Sequence, residues 1–115
     1  VDAAGGLDVD HMVPLAEAWD SGAGTWSAKE RQAYANDLGD DRALIAVTAR
    51  SNRSKADQDP ATWLPPQEAY RCAYLADWVA VKMRWQLTVD DAERQALTNK
   101  MANCPNEPVR VKFAR

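Results

Sequence analysis

Asp10 and His11 stand side by side in the run Leu7-Asp8-Val9-Asp10-His11-Met12-Val13-Pro14-Leu15, and His11 is the only histidine of the chain. Such a pair can divide labour: the carboxylate holds a metal ion while the imidazole takes a proton from water. No second histidine competes for the role of general base near neutral pH. Further along, Asn52-Arg53-Ser54-Lys55 adds an amide oxygen and two cations. A carboxylate and an amide carbonyl are both hard oxygen ligands, a pairing that suits Mg²⁺ or Mn²⁺ completed by waters and a substrate phosphate. The clustered His or Cys ligands of a structural zinc site are missing.

These residues need elements to position them. Leu7 to His11 alternates apolar and acidic residues, as a half-exposed strand does, and Asp8 is read as solvated on the other side of that strand, with support of the metal ligands as the alternative. A helical turn over residues 15–20 is expected to end at Ser21-Gly22-Ala23-Gly24. A helix after Ser27, where Ser27-Ala28-Lys29-Glu30 has capping-box spacing, is expected to end near Leu38-Gly39. Ala43-Leu44-Ile45-Ala46-Val47-Thr48 reads as a short buried strand, and a short helix after it carries Asn52 to Lys55. A strand ending in Asp10-His11, a returning strand and that helix would form one compact unit, with Asn52 back beside Asp10. Beyond the stiff Asp59–Pro66 loop, Tyr70, Tyr74, Trp78, Val81 and Trp85 follow helical spacing to about Leu87. Thr88, with Asp91 three residues on, is the expected N-cap of a last helix to about Ala102.

Composition narrows the function classes. The chain has 115 residues and a net charge of −3, so any anion-binding surface has to be a local patch. Its apolar runs are too short to span a bilayer. It opens at Val1-Asp2-Ala3 without methionine, as a processed or truncated product would. Core packing rather than base stacking is the expected role of Trp26, Trp63, Trp78 and Trp85. Folding the last two helices antiparallel puts Cys72 within reach of Cys104, which favours a disulfide and an oxidising compartment; two separate reduced thiols are the alternative.

Taken together, Asp10-His11-Met12-Val13-Pro14-Leu15 and Asn52-Arg53-Ser54-Lys55 resemble the HNH, or ββα-metal, endonucleases. The stretches Glu17-Ala18-Trp19-Asp20-Ser21-Gly22, Tyr34-Ala35-Asn36-Asp37-Leu38, Asp59–Pro66 and Tyr70–Tyr74 are similar to its small secreted bacterial branch, so the match covers roughly residues 7–104. The resemblance implies an α+β fold: a ββα-metal core with a short two-stranded hairpin and several packed helices, including a C-terminal helical hairpin. A single domain over residues 1–115 would have 1–6 as lead-in and 105–115 as tail, the latter an ordered strand or a disordered arm. His11 would be the general base, and Asp10 and Asn52 the ligands of one divalent ion, Mg²⁺ first and Mn²⁺ as the alternative. Arg53 and Lys55 would clamp the phosphate backbone. Glu17 could hold His11 or a metal-bound water, or make a surface salt bridge. Gly39-Asp40-Asp41-Arg42 lacks the family's central asparagine, leaving Asp41 or Asn36 to support the loop.

The activity so implied is hydrolysis of phosphodiesters in DNA, with RNA as the alternative, at low sequence specificity, leaving a 5′-phosphate and a 3′-hydroxyl. The protein is expected to be secreted or extracytoplasmic, monomeric and off the membrane. Two competing readings come from other classes. One is an inactive module of the same fold that grips nucleic acid or a partner protein; the other is a small structural domain in which Asp10 and Asn52 merely bind a stabilising ion.

Overall fold

The structure, a computed structural model, describes residues 6–115. The expected lead-in lies outside the described residues except for Gly6, whose carbonyl accepts a hydrogen bond from Ala49 N. The architecture is α+β. Strand β1 (Leu7–His11) pairs antiparallel with β2 (Leu44–Thr48), in a register that sets Leu7 opposite Thr48 and His11 opposite Leu44. Between the strands lie helix α1 (Leu15–Asp20), a 3₁₀ turn at Ala23–Thr25 and helix α2 (Ala28–Ala35). After β2 come α3 (Ala49–Lys55), α4 (Glu68–Arg84) and α5 (Asp91–Met101).

Local chemistry sets most of these boundaries. The Ser27–Glu30 capping box starts α2 as the spacing predicts, but the helix stops at Asn36, where the amide Nδ2 donates to Gln32 O, and Leu38 is left exposed. Thr48 ends β2 and caps α3 by accepting from Ser51 N, so strand and helix are joined without a loop. The last helix starts two residues later than expected. Its capping box is Asp90 with Glu93, while Thr88 N and Oγ1 both donate to Ser21 O and tie the α4–α5 turn to the end of α1. At the end of α1 the chain reverses through Gly22 at φ +130°, a conformation side chains disfavour.

The core lies among the helices rather than on the sheet. Tyr74, Leu75, Trp78 and Val81 of α4 pack with Met12, Val13, Ala18 and Leu97. Trp26, Tyr34 and Trp85 form a second aromatic knot, with ring centroids 5.3–6.1 Å apart. Strand β2 is only half-buried along its length, not the buried strand its apolar run suggests. Strand β1 is inverted relative to ordinary patterning: Leu7 and Val9 are exposed and Asp10 is buried.

Cys72 on α4 and Cys104 after α5 form a disulfide with Cα atoms 5.7 Å apart, closing the C-terminal helical hairpin. A covalent loop of that span restricts the unfolded chain by about 3–4 kcal/mol. The segment after Pro105 has no regular secondary structure but is tied down as a strap. Arg42 Nη2 donates to Arg110 O, Arg84 Nη1 to Lys112 O, and Ala114 N to Arg84 O. Arg115 pairs with Glu30 and lies over the Trp26 ring.

Candidate active site

Side chains two residues apart on a strand share a face. Asp8 and Asp10 therefore both meet α3, where Asn52 and Lys55 stand three residues apart on one helical face. Asn52 Nδ2 donates to Asp8 Oδ2 at 2.9 Å, and Lys55 Nζ donates to Asp10 Oδ2 at 2.7 Å. Asp8 is thus not a solvated residue of the other face but part of the same acidic edge as Asp10. Its hydrogen bond orients the Asn52 amide, turning the carbonyl oxygen away from Asp8 as a spare acceptor.

Lys55 does not have the role expected of a phosphate clamp. It is 2% exposed, and its ammonium donates to the carbonyls of His11 and Met12 as well as to Asp10. Burial pulls its pKa below the ordinary lysine value, and the Asp10 carboxylate opposes that shift. All three donors are committed, so Lys55 holds the end of β1 in place. Arg53 is the cation of this run that remains exposed.

His11 faces the other way. Its Nε2 lies 2.8 Å from the carbonyl oxygen of Ala35 in α2, and its ring lies nearly parallel to that of Tyr34. A carbonyl can only accept, so the hydrogen of this bond sits on Nε2. In the neutral ring Nδ1 then carries the lone pair. Tyr34, buried and donating through its hydroxyl to Val13 O, fixes the neighbouring backbone. Burial, then the nearby Asp37 carboxylate, raises the Tyr34 pKa and keeps it neutral.

Asp10 and Asn52 both line a cavity of about 640 Å³, and His11 is not among its lining residues. The oxygen donors and the imidazole therefore approach the last residues of β1 from opposite faces. Asp10, Asp8 and the Asn52 carbonyl are a hard-oxygen set of the kind that suits Mg²⁺ or Mn²⁺. Only Oδ2 of Asp10 is engaged among the described residues.

Glu17 supports neither His11 nor this edge. It accepts from Ser21 Oγ at 2.5 Å and from Lys82 at 3.2 Å, and Lys82 also pairs with the fully buried Glu93 at 2.7 Å. Burial raises the Glu17 pKa, against the pull of Ser21 and Lys82. Oxygens of Glu17, Asp59, Asp90 and Glu93 lie within 4.8 Å of one another. The Lys82 ammonium supplies the positive charge to this cluster, which joins α1, α4 and α5.

The loop before β2 is supported by Asp37 and Asp40 rather than by Asp41 or Asn36. Asp37 accepts from Gly39 N, from Arg84 Nε and Nη2, and from Trp85 Nε1. Burial works against its charge, yet those donors hold its pKa below the ordinary carboxylate value. Asp40 accepts the Arg42 guanidinium bidentately. A Cβ at Gly39 would come within 2.7 Å of Arg84 Nη2, so a side chain there would have to displace the guanidinium that Asp37 holds.

Tyr70 and Tyr74 had no place in the sequence-based site, and Asp8 entered it only as the alternative to a solvated residue. Two-residue periodicity already put Asp8 beside Asp10; nothing in the sequence signalled that Tyr70 and Tyr74 border the same cavity.

The profile of the family described as GmrSD restriction endonucleases, C-terminal domain, matches residues 2–100. A protein of Arthroderma benhamiae described as "Uncharacterized secreted protein" is 46% identical over 102 residues, which take in 89% of this chain and 50% of the relative. The chain thus spans about half the length of the curated relative it matches. No solved structure matches it.

Proposed function

The chain belongs to the family of GmrSD restriction endonuclease C-terminal domains, and from that premise we propose that it hydrolyses phosphodiester bonds in DNA, with His11 as the general base. RNA is the alternative substrate. The observation that carries this reading is the hydrogen bond from His11 Nε2 to Ala35 O, which leaves Nδ1 as a proton acceptor on a ring locked in orientation. Strands β1 and β2 with helix α3 correspond to the ββα-metal core, within one domain.

A divalent ion, Mg²⁺ or Mn²⁺, held by Asp10 and Asn52 would supply charge neutralisation at the scissile phosphate. Asp8 orients the Asn52 amide, and Lys55 holds the Asp10 carboxylate and the His11 carbonyl. A phosphate that both faces can reach sits at the end of β1. There His11 Nδ1 takes a proton from water, the water oxygen bonds to phosphorus, and the 3′ oxygen leaves and is protonated by solvent. The products are a 5′-phosphate and a 3′-hydroxyl. Arg53 contributes a backbone contact indifferent to base identity, consistent with low sequence preference. The relative's printed name and the Cys72–Cys104 disulfide support a secreted or extracytoplasmic protein.

A plasmid-nicking assay with Mg²⁺ or Mn²⁺, against an EDTA control, tests the proposal. His11→Ala is expected to lower cleavage by about 10²–10⁴-fold while keeping its fold, at a melting temperature lowered by loss of the bond to Ala35 O. Cleavage at the parental rate would remove His11 from the mechanism, and EDTA-resistant cleavage would remove the ion.

A further inference from the structure

The cavity beside Asp10 and Asn52 has a wall that the hydrolytic chemistry does not use. Trp63, Tyr70 and Tyr74 line it, with Pro65 and Pro66 on the loop between them. The three rings form a continuous edge-to-face series, with Trp63 and Tyr70 each against Tyr74 at centroid distances of 5.6 and 6.2 Å. Trp63 is held by its Nε1 donating to Ser54 Oγ, and the proline loop by Arg71 Nε donating to Pro65 O. These anchors shape the wall before anything binds. Trp63 and Tyr70 are only half-buried, whereas Trp26, Trp78 and Trp85 are buried in the core.

Charge decides what such a wall can receive. Asp10 borders the cavity, and the one ammonium that lines it, Lys55, has all its donors committed. The aromatic end is therefore no anion site, and it suits a flat, neutral group. Behind Trp63 and Tyr70, Tyr74 is 2% exposed, and its hydroxyl is the one buried side-chain polar atom without a hydrogen-bond partner among the described residues. A buried hydroxyl left unpaired is unfavourable.

We propose that this cavity takes an unpaired nucleobase of the strand being cut, stacked on the Trp63–Tyr70 wall, so that single-stranded or frayed nucleic acid is the preferred substrate. The inference rests on the nuclease reading of the neighbouring residues. A base in an intact duplex has both faces covered and its pairing edge occupied, and it reaches a pocket only after unstacking. A base already unpaired meets no such cost, and aromatic stacking accepts any base. The wall thus selects strandedness without selecting sequence.

Fluorescence anisotropy with labelled single-stranded and duplex oligonucleotides in EDTA separates binding from cleavage. The parent chain is expected to bind the single strand more tightly. Tyr70→Leu should weaken that binding by about 5- to 150-fold, the range of base–aromatic stacking, with duplex binding unchanged. Tyr70→Phe, which keeps the ring, should retain single-strand affinity. Trp63→Leu should behave like Tyr70→Leu, and the half-exposed Tyr70 pair keeps the test decisive if the tryptophan variant does not fold. Equal affinity for both forms, or a Tyr70→Leu variant with parental single-strand affinity, would overturn the proposal. Metal-dependent cleavage alongside either of those results would leave the nuclease reading standing; single-strand binding lost in Tyr70→Leu, with no cleavage by the parent, would do the reverse.

Discussion

Lys55 and Lys82 are both almost fully buried, and each ammonium lies within 6 Å of an aromatic ring of α4, at 5.5 Å from Tyr74 and 5.7 Å from Trp78. Their surroundings differ. Lys82 meets two carboxylates, Glu17 and Glu93, and also Ser21 Oγ and Thr88 O, where three helices join. Lys55 meets one carboxylate and two carbonyls at the end of β1 beside an open cavity, and one Asp10 oxygen is uncommitted among the described residues. A buried ion pair therefore does not mark a site by itself. Spare ligand atoms facing open space are the stronger mark, and in the Lys55 region the second Asp10 oxygen, beside the cavity, supplies one.

The largest effects come from removing one partner of each pair. Lys82→Met should cost roughly 3–5 kcal/mol of stability by stranding the charge of Glu93, and adding Mg²⁺ should not recover it. Lys55→Met strands Asp10 in the same way, but Mg²⁺ or Mn²⁺ should restore much of its Tm, because an ion that binds the native state stabilises it. Thermal melts of both variants with and without the ion check this; equal recovery in the two would erase the distinction between scaffold and site.

Asp37 belongs with Lys82 on the scaffold side, and acid should show it. Its folded pKa lies below the unfolded value of 3.8, so its stabilisation is fully present above that value and is lost as pH falls through the folded pKa. Asp37→Asn should cost about 3 kcal/mol near neutral pH, and the gap should close on the acid side. Urea midpoints at both ends of the range measure it; a gap that persists in acid would place the cost in packing rather than charge.

The smallest effect concerns Arg53. Arg53→Ala should lower the dependence of log affinity on log salt by roughly 0.7–0.9, whereas Lys55→Met should leave that slope alone, since a buried ammonium releases no counterion. An equal drop in both would mean that Lys55 reaches phosphate after all.

Elements with local causes were legible in the sequence. The Ser27–Glu30 capping box, the helical stripe from Tyr74 to Trp85 and the Cys72–Cys104 disulfide follow from spacing within one or two helices. The displaced start of α5 shows the limit: Thr88 and Asp90 are both competent caps, and the bond from Thr88 to Ser21 O, made across the fold, decided between them. The site divides the same way. Residue types made Asp10, His11 and Asn52 candidates, and the resemblance of their runs to a nuclease family gave each its expected role. Nothing local revealed that Lys55 would be buried, that Glu17 would join Lys82, or that Trp63 would line a cavity.

By itself the sequence determined which atoms were available: one imidazole, an acidic strand, an amide and two cations on a short helix, and the helical runs to carry them. Tertiary structure decided which of those atoms stayed free. Packing α3 against the Asp8–Asp10 face consumed the donors of Lys55 and spared Arg53, while docking β1 against α2 set His11 Nε2 on the Ala35 carbonyl and left Nδ1 without a partner among the described residues. Hydrogen-bond capacity is a property of each residue, but its partner is whatever chain, distant in sequence, the core brings within 3 Å.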